Sequence, residues 1–419
     1  MEEEEDEMEL HDDAIAMLFL IAERNNPESK WRRYFSLLPP NIETGVSLDL
    51  SQETSPSGKT LDEELAGTPM PYKAANEREV LQQSYSFMFP SLSEKFPTEF
   101  PAEVFTWDAL VWARGVFDTR CVTVSYPGGR DLTCLVPLVD MCNHDFCAQL
   151  SKPKLATHKV AAAEGSGEMA LEFRTLAKVA QGGEVMLNYG SLDNTQLLLY
   201  YGFAIEDNPY DSVSLELEPA DEDQFVMQKR LLLKLLCLPV EHHLRLQGGL
   251  NPRLIAALRL LLFEKEELDL SEADPEGREP VSERNELFVA DTLRSTLDGL
   301  LAEFNTTVEE DEMMLASSGP DAPSGFMRGV VTYRLGLKRI LLKAHEDTQV
   351  LLTQGVPAAA FSLPEDATSP AQDDGKNTAP GEHDGERGGG HGGERGASAE
   401  SAESAEDAQD ARKRPRKGT

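Results

Sequence analysis

Basic residues are scarce in this 419-residue chain: 39 lysines and arginines face 74 aspartates and glutamates, a formal net charge of −35 at pH 7. A binder of nucleic-acid backbone carries the opposite field, so nucleic acid is excluded as the principal partner and a basic protein is favoured. Cysteine is scarce too. Five in a chain of this length build no disulfide framework and point to a reducing compartment. No uninterrupted apolar run reaches membrane-spanning length, so no membrane partner is expected. The opening MEEEEDEMEL is acidic, whereas secretory and organellar targeting peptides are basic and acid-poor; the chain as written starts with no address label.

Several chemical signatures are incomplete. Cys142, His144 and Cys147 could ligate zinc, but no second cysteine pair follows at finger spacing, and no metal is expected. Asp140, His144 and Ser191 could be written as a triad, yet no G-x-S-x-G surrounds the serine. Gly165-Ser166-Gly167 is followed by no helix and reads as a turn, not a phosphate loop.

What is present is enough for buried cores: 40% of the residues are hydrophobic, and the length predicts two domains plus extras. The period is helical at His11–Arg24, where Asp12 or Asp13 can cap and Ala14, Leu18 and Ile21 share a face. Asn41–Pro69, rich in Ser, Thr, Gly and Glu, reads as a loop or low-order insertion. Helices are expected again over Tyr72–Phe89 and Thr106–Arg120, the latter capped by Thr106 with Leu110, Ala113 and Phe117 on one face. The period then shortens. Cys121–Ser125 and Leu132–Val139 read as strands about a YPGG turn, His158–Ala163 and Met169–Arg174 as a second pair, and Glu184–Asn188 as a strand after Gly182-Gly183. Short strands with tight turns around helical blocks suit a small folded β domain, not βαβ units. From about Asp221 helical period dominates, in Gln224–Leu236, Arg253–Leu268, Glu283–Phe304 and Arg328–Leu352. After about Pro357 hydrophobic residues thin out, and Asp373–Asp410 cannot repay the entropy of ordering. The basic cluster RKRPRK at Arg412–Lys417 fits a nuclear import signal or a charge-balancing tail.

Three stretches carry the chemistry: Leu135–His144 (LVPLVDMCNH), Glu184–Gly190 (EVMLNYG) and Tyr200–Phe203 (YYGF). Asn-His closing one strand and Tyr-Gly closing another resemble the paired signature of SET-domain methyltransferases. The YGF wording and the long helical stretch beyond are similar to the Rubisco large-subunit methyltransferase-like branch, which includes lysine and histidine methylators. SKWRRYFSLLPP resembles that branch's Trp-x-x-Tyr segment, and the YRLGLKRILL run at Tyr333–Leu342 its substrate-binding domain. The resemblance covers about five-sixths of the chain. It implies an α+β fold: a SET-type β domain with an inserted helical block (1–206), an all-α substrate-binding domain (207–356) and a disordered tail (357–419).

The resemblance implies S-adenosylmethionine as cofactor and a side-chain amine of a protein substrate as acceptor. Tyr189 matches the catalytic tyrosine. Asp140, Met141, Cys142, Asn143 and His144 match the segment that offers amide and backbone groups to the adenine and amino-acid end. Arg120, before a short strand, matches the contact to the cofactor carboxylate, a natural bidentate partner for guanidinium; an exposed arginine at a helix C-terminus is the plain alternative. Tyr201, Gly202 and Phe203 match the aromatic wall, with Tyr201 rather than Tyr200 in register. Asp145 stands where the branch often has serine. The branch opens with a Gly-x-Gly segment holding the methionine end, whereas the first glycine here is Gly45; the expectation is a missing upstream segment or a lost part of the pocket. Apolar Val122 and Val139 near the channel tilt the expected target to lysine over histidine. A catalytically inactive binding module is the rival from another class. A monomer is expected, in cytoplasm or nucleus, or in the chloroplast if a transit segment precedes Met1.

Overall fold

The structure, a computed structural model, describes residues 12–126, 130–148, 154–159, 167–264, 280–319 and 322–354. All of them lie in one compact unit, residues 1–380. The acidic start, the YPGG and Gly-Ser-Gly turns, and the chain from residue 355 through RKRPRK lie wholly or partly outside the described residues.

Five helices open the described chain. Helix α1 (Asp12–Asn25) buries Met17, Leu18, Leu20 and Ile21 on the face its periodicity predicts, with Asp12 and Asp13 in the first turn where the helix dipole favours them. Helix α2 (Arg32–Phe35) is a single turn that buries Tyr34. Helix α3 (Leu61–Glu64) starts with a capping box in which Thr60 and Glu63 satisfy each other's amides. Helix α4 (Met70–Lys95) is longer than expected and carries Pro90 inside it. Helix α5 (Trp107–Arg120) begins where Thr106 accepts from the Ala109 amide at 3.2 Å, as the sequence predicts. The first core lies among these, with Ile21, Leu81, Phe89, Leu110, Val116 and Phe117 buried together. Each such side chain stabilises the fold by about 1.5–3 kcal/mol.

The Asn41–Pro69 stretch is not a low-order insertion. Val46, Leu50, Leu61 and Leu65 are buried in the second core with Leu198, Leu199 and side chains from the C-terminal helices. The amides of Gly45 and Val46 donate to the carbonyls of Leu198 and Leu199 at 3.1 and 3.2 Å. Its apolar residues are few and aperiodic, so polar composition masked a segment whose every large apolar side chain is used.

The described strands form three two-stranded antiparallel sheets. Strand β1 (Cys121–Tyr126) leaves α5 without a linker and pairs with β2 (Arg130–Leu135) in the register Cys121–Leu135. Strand β2 stops four residues short of the expected Val139. Pro137 has no amide to give a ladder, and Leu138 takes φ 79°, which directs the chain into a 3₁₀ turn at Val139–Met141. Strands β3 (Lys154–Lys159) and β4 (Gly167–Glu172) form the second pair. The expected strand Glu184–Asn188 is absent: its single rung is a parallel bridge between Leu187 and His144. The segment leading into YYGF begins as α6 (Asn194–Gln196), boxed by Asp193 and Gln196, and widens into a π-turn at Leu197–Tyr201.

Beyond lie β5 (Val213–Glu216), α7 (Val226–Leu235), β6 (Glu241–Leu244), α8 (Pro252–Leu261), α9 (Glu283–Ala302), α10 (Val308–Ala316) and α11 (Gly325–Gln354). The helical region thus carries an antiparallel β5–β6 pair, its strands joined through α7, and the short helix α10 in addition to its expected helices. The second core takes Tyr200 and Leu215, Leu254, Leu293 and Tyr333, from both sides of the expected boundary at residue 206.

That core is crossed by a buried ionic knot. Arg334 of α11, 1% exposed, donates from Nε and Nη2 to Asp311 Oδ1 of α10 at 3.0 and 2.7 Å, and from Nη1 to the carbonyl and carboxylate of Glu64. Ser55 and Ser57 donate to the other Glu64 oxygen, and Lys338 sits 2.6 Å from Asp311 Oδ2. Removing one partner of such a set strands charge in a dry interior. We expect Arg334→Met to lower the unfolding free energy by about 3–5 kcal/mol in urea titration, and a loss below about 1 kcal/mol would show that water relieves the carboxylates.

Candidate functional site

The site grows from the 3₁₀ turn. Leu138 at φ 79° is a position that costs a branched side chain of order 1–3 kcal/mol and persists where neighbours over-determine it. Asp140 supplies that constraint. Its Oδ2 accepts from Tyr34 Oη at 2.6 Å, and its carbonyl and Oδ2 accept from Arg120 Nη1 at 3.1 and 3.4 Å. Burial, then the bond to Asp140, pushes the Tyr34 hydroxyl pKa up, so that hydroxyl stays a donor. Arg120 reaches this point because it is the last residue of α5, immediately before β1.

The next residues clasp the EVMLNYG segment. Leu187 N donates to Asn143 O at 2.8 Å and Asp145 N to Leu187 O at 3.2 Å, the rungs of the isolated bridge. The ladder extends no further because side chains take the neighbouring groups: Asn188 Nδ2 donates to Phe146 O, and Tyr189 N donates to His144 Nδ1 at 3.1 Å. An amide pointing at Nδ1 makes that nitrogen the acceptor and assigns the ring proton to Nε2. Leu187 O also lies 3.3 Å from Nδ1 and is then a neighbour, not a partner. Burial lowers the His144 pKa against the pull of Leu187 and Asp145, which agrees with a neutral ring.

Tyr189 closes the clasp from the other side, its hydroxyl donating to Cys142 O at 2.7 Å. Its ring stacks between His144 (centroids 5.0 Å apart) and Tyr201 (4.9 Å), with Phe146 edge-on to His144 and Phe203 edge-on to Tyr201. Burial raises the Tyr189 pKa to about 12, with Arg120 opposing. Around this column three buried polar atoms lack a hydrogen-bond partner: Arg120 Nε, Asp140 Oδ1 and His144 Nε2.

The two tyrosines of YYGF part company at the π-turn. Tyr201 joins the column, whereas Tyr200 turns to α4 and donates to Glu77 Oε1 at 3.1 Å, beside the buried Arg114–Asp118 pair. Gly202 ends the turn at φ 79°, where a Cβ would lie 1.9 Å from Glu43 O, so only glycine fits. The turn's start is pinned by Asn194, whose amide and Nδ2 donate to the two oxygens of buried Asp211, both at 2.7 Å.

The structure therefore brings together Tyr189, the Cys142 carbonyl, His144, Tyr201 and Phe203, with Arg120 and Asp140 alongside. Met141 is exposed, its sulfur 3.5 Å from Arg120 Nη1. The Asn143 side chain is also exposed and donates to Glu184 Oε1 at 2.5 Å, away from the rings. Val122, opposite Cys134 in the β1–β2 ladder, and Val139 are half-buried. Tyr34, Phe146, Glu184 and Leu187 belong to the site and were not foreseen as site residues; Phe146 lies two residues past the Asn-His pair, Glu184 and Leu187 lie within EVMLNYG, and Tyr34 closes the Trp-x-x-Tyr segment, 106 residues from Asp140. Among the described residues no group of three or more His, Cys, Asp or Glu could hold a metal ion, and no helix is long and apolar enough to cross a membrane.

Burial pushes the Asp211 carboxyl up to about 6, above its usual 3.8, against the pull of Asn194. A carboxyl raised on folding binds its proton better in the native state. Its stabilisation is full below about pH 4 and is lost as pH rises through about 6. The stability difference between wild type and Asp211→Asn is expected to change by about 2–3 kcal/mol between those limits. A flat difference in denaturant titrations would show the carboxyl unshifted.

Residues 220–341 match the family model described as Rubisco LSMT substrate-binding. The actin-histidine N-methyltransferase of Mus musculus is 25% identical over 356 residues, 80% of this chain and 56% of that one. The chloroplastic ribulose-1,5 bisphosphate carboxylase/oxygenase large subunit N-methyltransferase of Nicotiana tabacum is 25% identical over 77% of this chain and 64% of its own. The chloroplastic [fructose-bisphosphate aldolase]-lysine N-methyltransferase of Arabidopsis thaliana is 26% identical, over 77% and 65%. This chain thus spans 56–65% of the length of these relatives. The SET domain of LSMT crystallised with lysine and AdoHcy superposes with a TM-score of 0.59 at 22% identity, covering 82% of this chain and 76% of that one. Rubisco LSMT bound to sinefungin and monomethyllysine superposes at 0.60, with 22% identity and coverage of 88% and 81%. The fold is that of the LSMT SET domain with its helical substrate-binding domain, and the relatives are LSMT-like lysine and actin-histidine methyltransferases, as DMCNH, NYG and YGF implied.

Proposed function

We propose that the chain is an S-adenosylmethionine-dependent protein methyltransferase whose acceptor is a lysine side-chain amine. The observation that carries this reading is Tyr189, stacked between two rings with its hydroxyl fixed on the Cys142 carbonyl. The relatives' activities on proteins and the AdoMet, AdoHcy and sinefungin of the matched structures support it.

The residues present fit the cofactor. Two buried donors, Arg120 Nε and His144 Nε2, and one buried acceptor, Asp140 Oδ1, lack partners beside the rings. A ligand with a carboxylate, an ammonium and a base edge offers their complements. Arg120, the backbone of Asp140–His144 and the wall of Tyr201, Gly202 and Phe203 would hold it. When bound, S-adenosylmethionine supplies a methyl group on a positively charged sulfur, open to in-line displacement.

The chain's own part is alignment and desolvation. With its hydrogen given to Cys142 O, the Tyr189 oxygen keeps lone pairs for an N–H of the incoming amine, which fixes the direction of the amine's own lone pair. A pKa of about 12 keeps Tyr189 protonated at neutral pH, so it aligns and does not act as base. The amine, with a reference pKa of ~10.4, must give its proton to water before reacting, and desolvation beside the buried rings disfavours the ammonium. An imidazole acceptor would need its second nitrogen held by a hydrogen bond, which Val122 and Val139 do not offer. The histidine-methylating relatives make histidine the other acceptor to test.

Native cell protein incubated with the purified chain and methyl-deuterated S-adenosylmethionine is expected to carry the label on lysine by mass spectrometry. Label on histidine would overturn the acceptor, and a chain that neither binds the cofactor by calorimetry nor transfers label would be an inactive binding module. Tyr189→Phe is expected to lower turnover by ~10²-fold or more with cofactor affinity and melting temperature nearly unchanged, the pattern of a lost transition-state contact. Full activity would move the aligning role to Tyr201. The Asn143 side chain would have to leave Glu184 to reach the cofactor; on that rearrangement Asn143→Ala is expected to weaken S-adenosylmethionine binding by about one to two orders of magnitude, and an unchanged dissociation constant would leave only the Asn143 backbone in the site.

A further inference from the structure

Tyr34 closes the Trp-x-x-Tyr segment, far in sequence from the three stretches that carry the chemistry, yet it makes a short hydrogen bond to the DMCNH turn. Its ring is buried in the first core and its hydroxyl donates to Asp140 Oδ2 at 2.6 Å. The carboxylate it meets is 8% exposed and short of partners: Oδ1 has none, and Oδ2 has Tyr34 and a longer contact from Arg120 at 3.4 Å. A buried carboxylate in that position depends on each hydrogen bond it receives.

Two further observations converge on the same atom. Leu138 enters the turn at φ 79°, a strain that something must hold. The Asp140 amide donates back to Val136 O at 3.1 Å, which closes the strained segment with Asp140 as its far anchor. On the other side of Asp140 the chain goes straight to the Cys142 carbonyl, the Asn143 carbonyl and His144 Nδ1, the three groups that receive Tyr189 Oη, Leu187 N and Tyr189 N. Arg120 is drawn to the same carboxylate and to the Asp140 carbonyl.

We propose that Tyr34 is a positioning residue of the methyl-transfer site: through Asp140 it fixes both the Arg120 guanidinium and the turn whose carbonyl holds the Tyr189 hydroxyl. It touches neither substrate nor cofactor. The proposal rests on the methyltransferase reading for its kinetic consequence, though not for its structural one. Loss of the hydroxyl leaves Asp140 free to retreat from Tyr34, releases the strained turn, and lets Cys142 O and His144 drift from Tyr189.

The test is Tyr34→Phe, which keeps the ring in its core, beside Asp140→Asn, which keeps the shape of the acid and removes its charge. Amide hydrogen exchange in the cofactor-free chain is the readout independent of catalysis. The Leu187 and Tyr189 amides are expected to exchange about tenfold to a hundredfold faster in Tyr34→Phe, the range of one hydrogen bond to a charged group. Amides of α9 and α11 should keep wild-type rates. Turnover should fall by a similar factor with the acceptor KM little changed, and adding Asp140→Asn should cost less than the two single effects combined. Unchanged exchange at Leu187 and Tyr189 overturns the proposal. Uniformly faster exchange, α9 and α11 included, also overturns it, because Tyr34 would then be an ordinary core residue. If wild type transfers no methyl group, the function proposed above fails while the exchange data still decide the role of Tyr34.

Discussion

Charge buried in the second core is the constraint on which much of the architecture depends. Arg334 holds Glu64 from the N-terminal half and Asp311 from α10 at once, with Lys338 completing the neutralisation. None of these groups is tolerable alone in a dry interior. Each can be buried only when the others arrive, so the polar loop preceding α4 and the last two helices are obliged to fold against each other. The apolar contacts around them are numerous and interchangeable; the ionic ones admit one arrangement. Through Gly45 and Val46 the same loop bonds to the π-turn that carries Tyr201. A constraint in the helical region therefore bears on the aromatic column.

The site follows the same logic on a smaller scale. A strained turn is held by Asp140, and the turn in turn holds a tyrosine whose hydroxyl and amide both end on it. Chemistry that asks mainly for alignment needs such over-determination, because small misplacements of a reacting group are expensive. The neutral tautomer of His144 is part of this. Protonating Nδ1 would displace the Tyr189 amide, so that bond and burial press the ring towards neutrality while Leu187 and Asp145 oppose them.

Much of this was legible from residue order. The cap at Thr106, four of the five helices from α7 to α11, and the gathering of Tyr189, His144, Tyr201 and Phe203 follow from motif and period. What stayed hidden has physical causes. The strand expected through Val139 ended at Leu135 because Pro137 cannot donate and Leu138 turns positive, a choice that apolar composition conceals. The strand expected over Glu184–Asn188 shrank to one rung because His144 and Asn188 side chains took its neighbours' bonds. The 41–69 loop looked polar because its stabilisation is ionic and its apolar residues are sparse. The β5–β6 pair is four residues a side, too short for alternation to stand out.

The π-turn at Leu197–Tyr201 makes chain length itself a carrier of information. In a regular α-helix each residue advances about 100° around the axis, so a single extra residue in one turn resets the phase of all that follows. Here the reset sends Tyr200 to Glu77 and Tyr201 to the ring column. A deletion of one residue before Tyr200 would leave composition, hydrophobicity and both tyrosines intact, yet rotate the pair by one position. In this segment, insertions and deletions are a grammar distinct from substitution: which tyrosine meets the column is set by counting, not by identity.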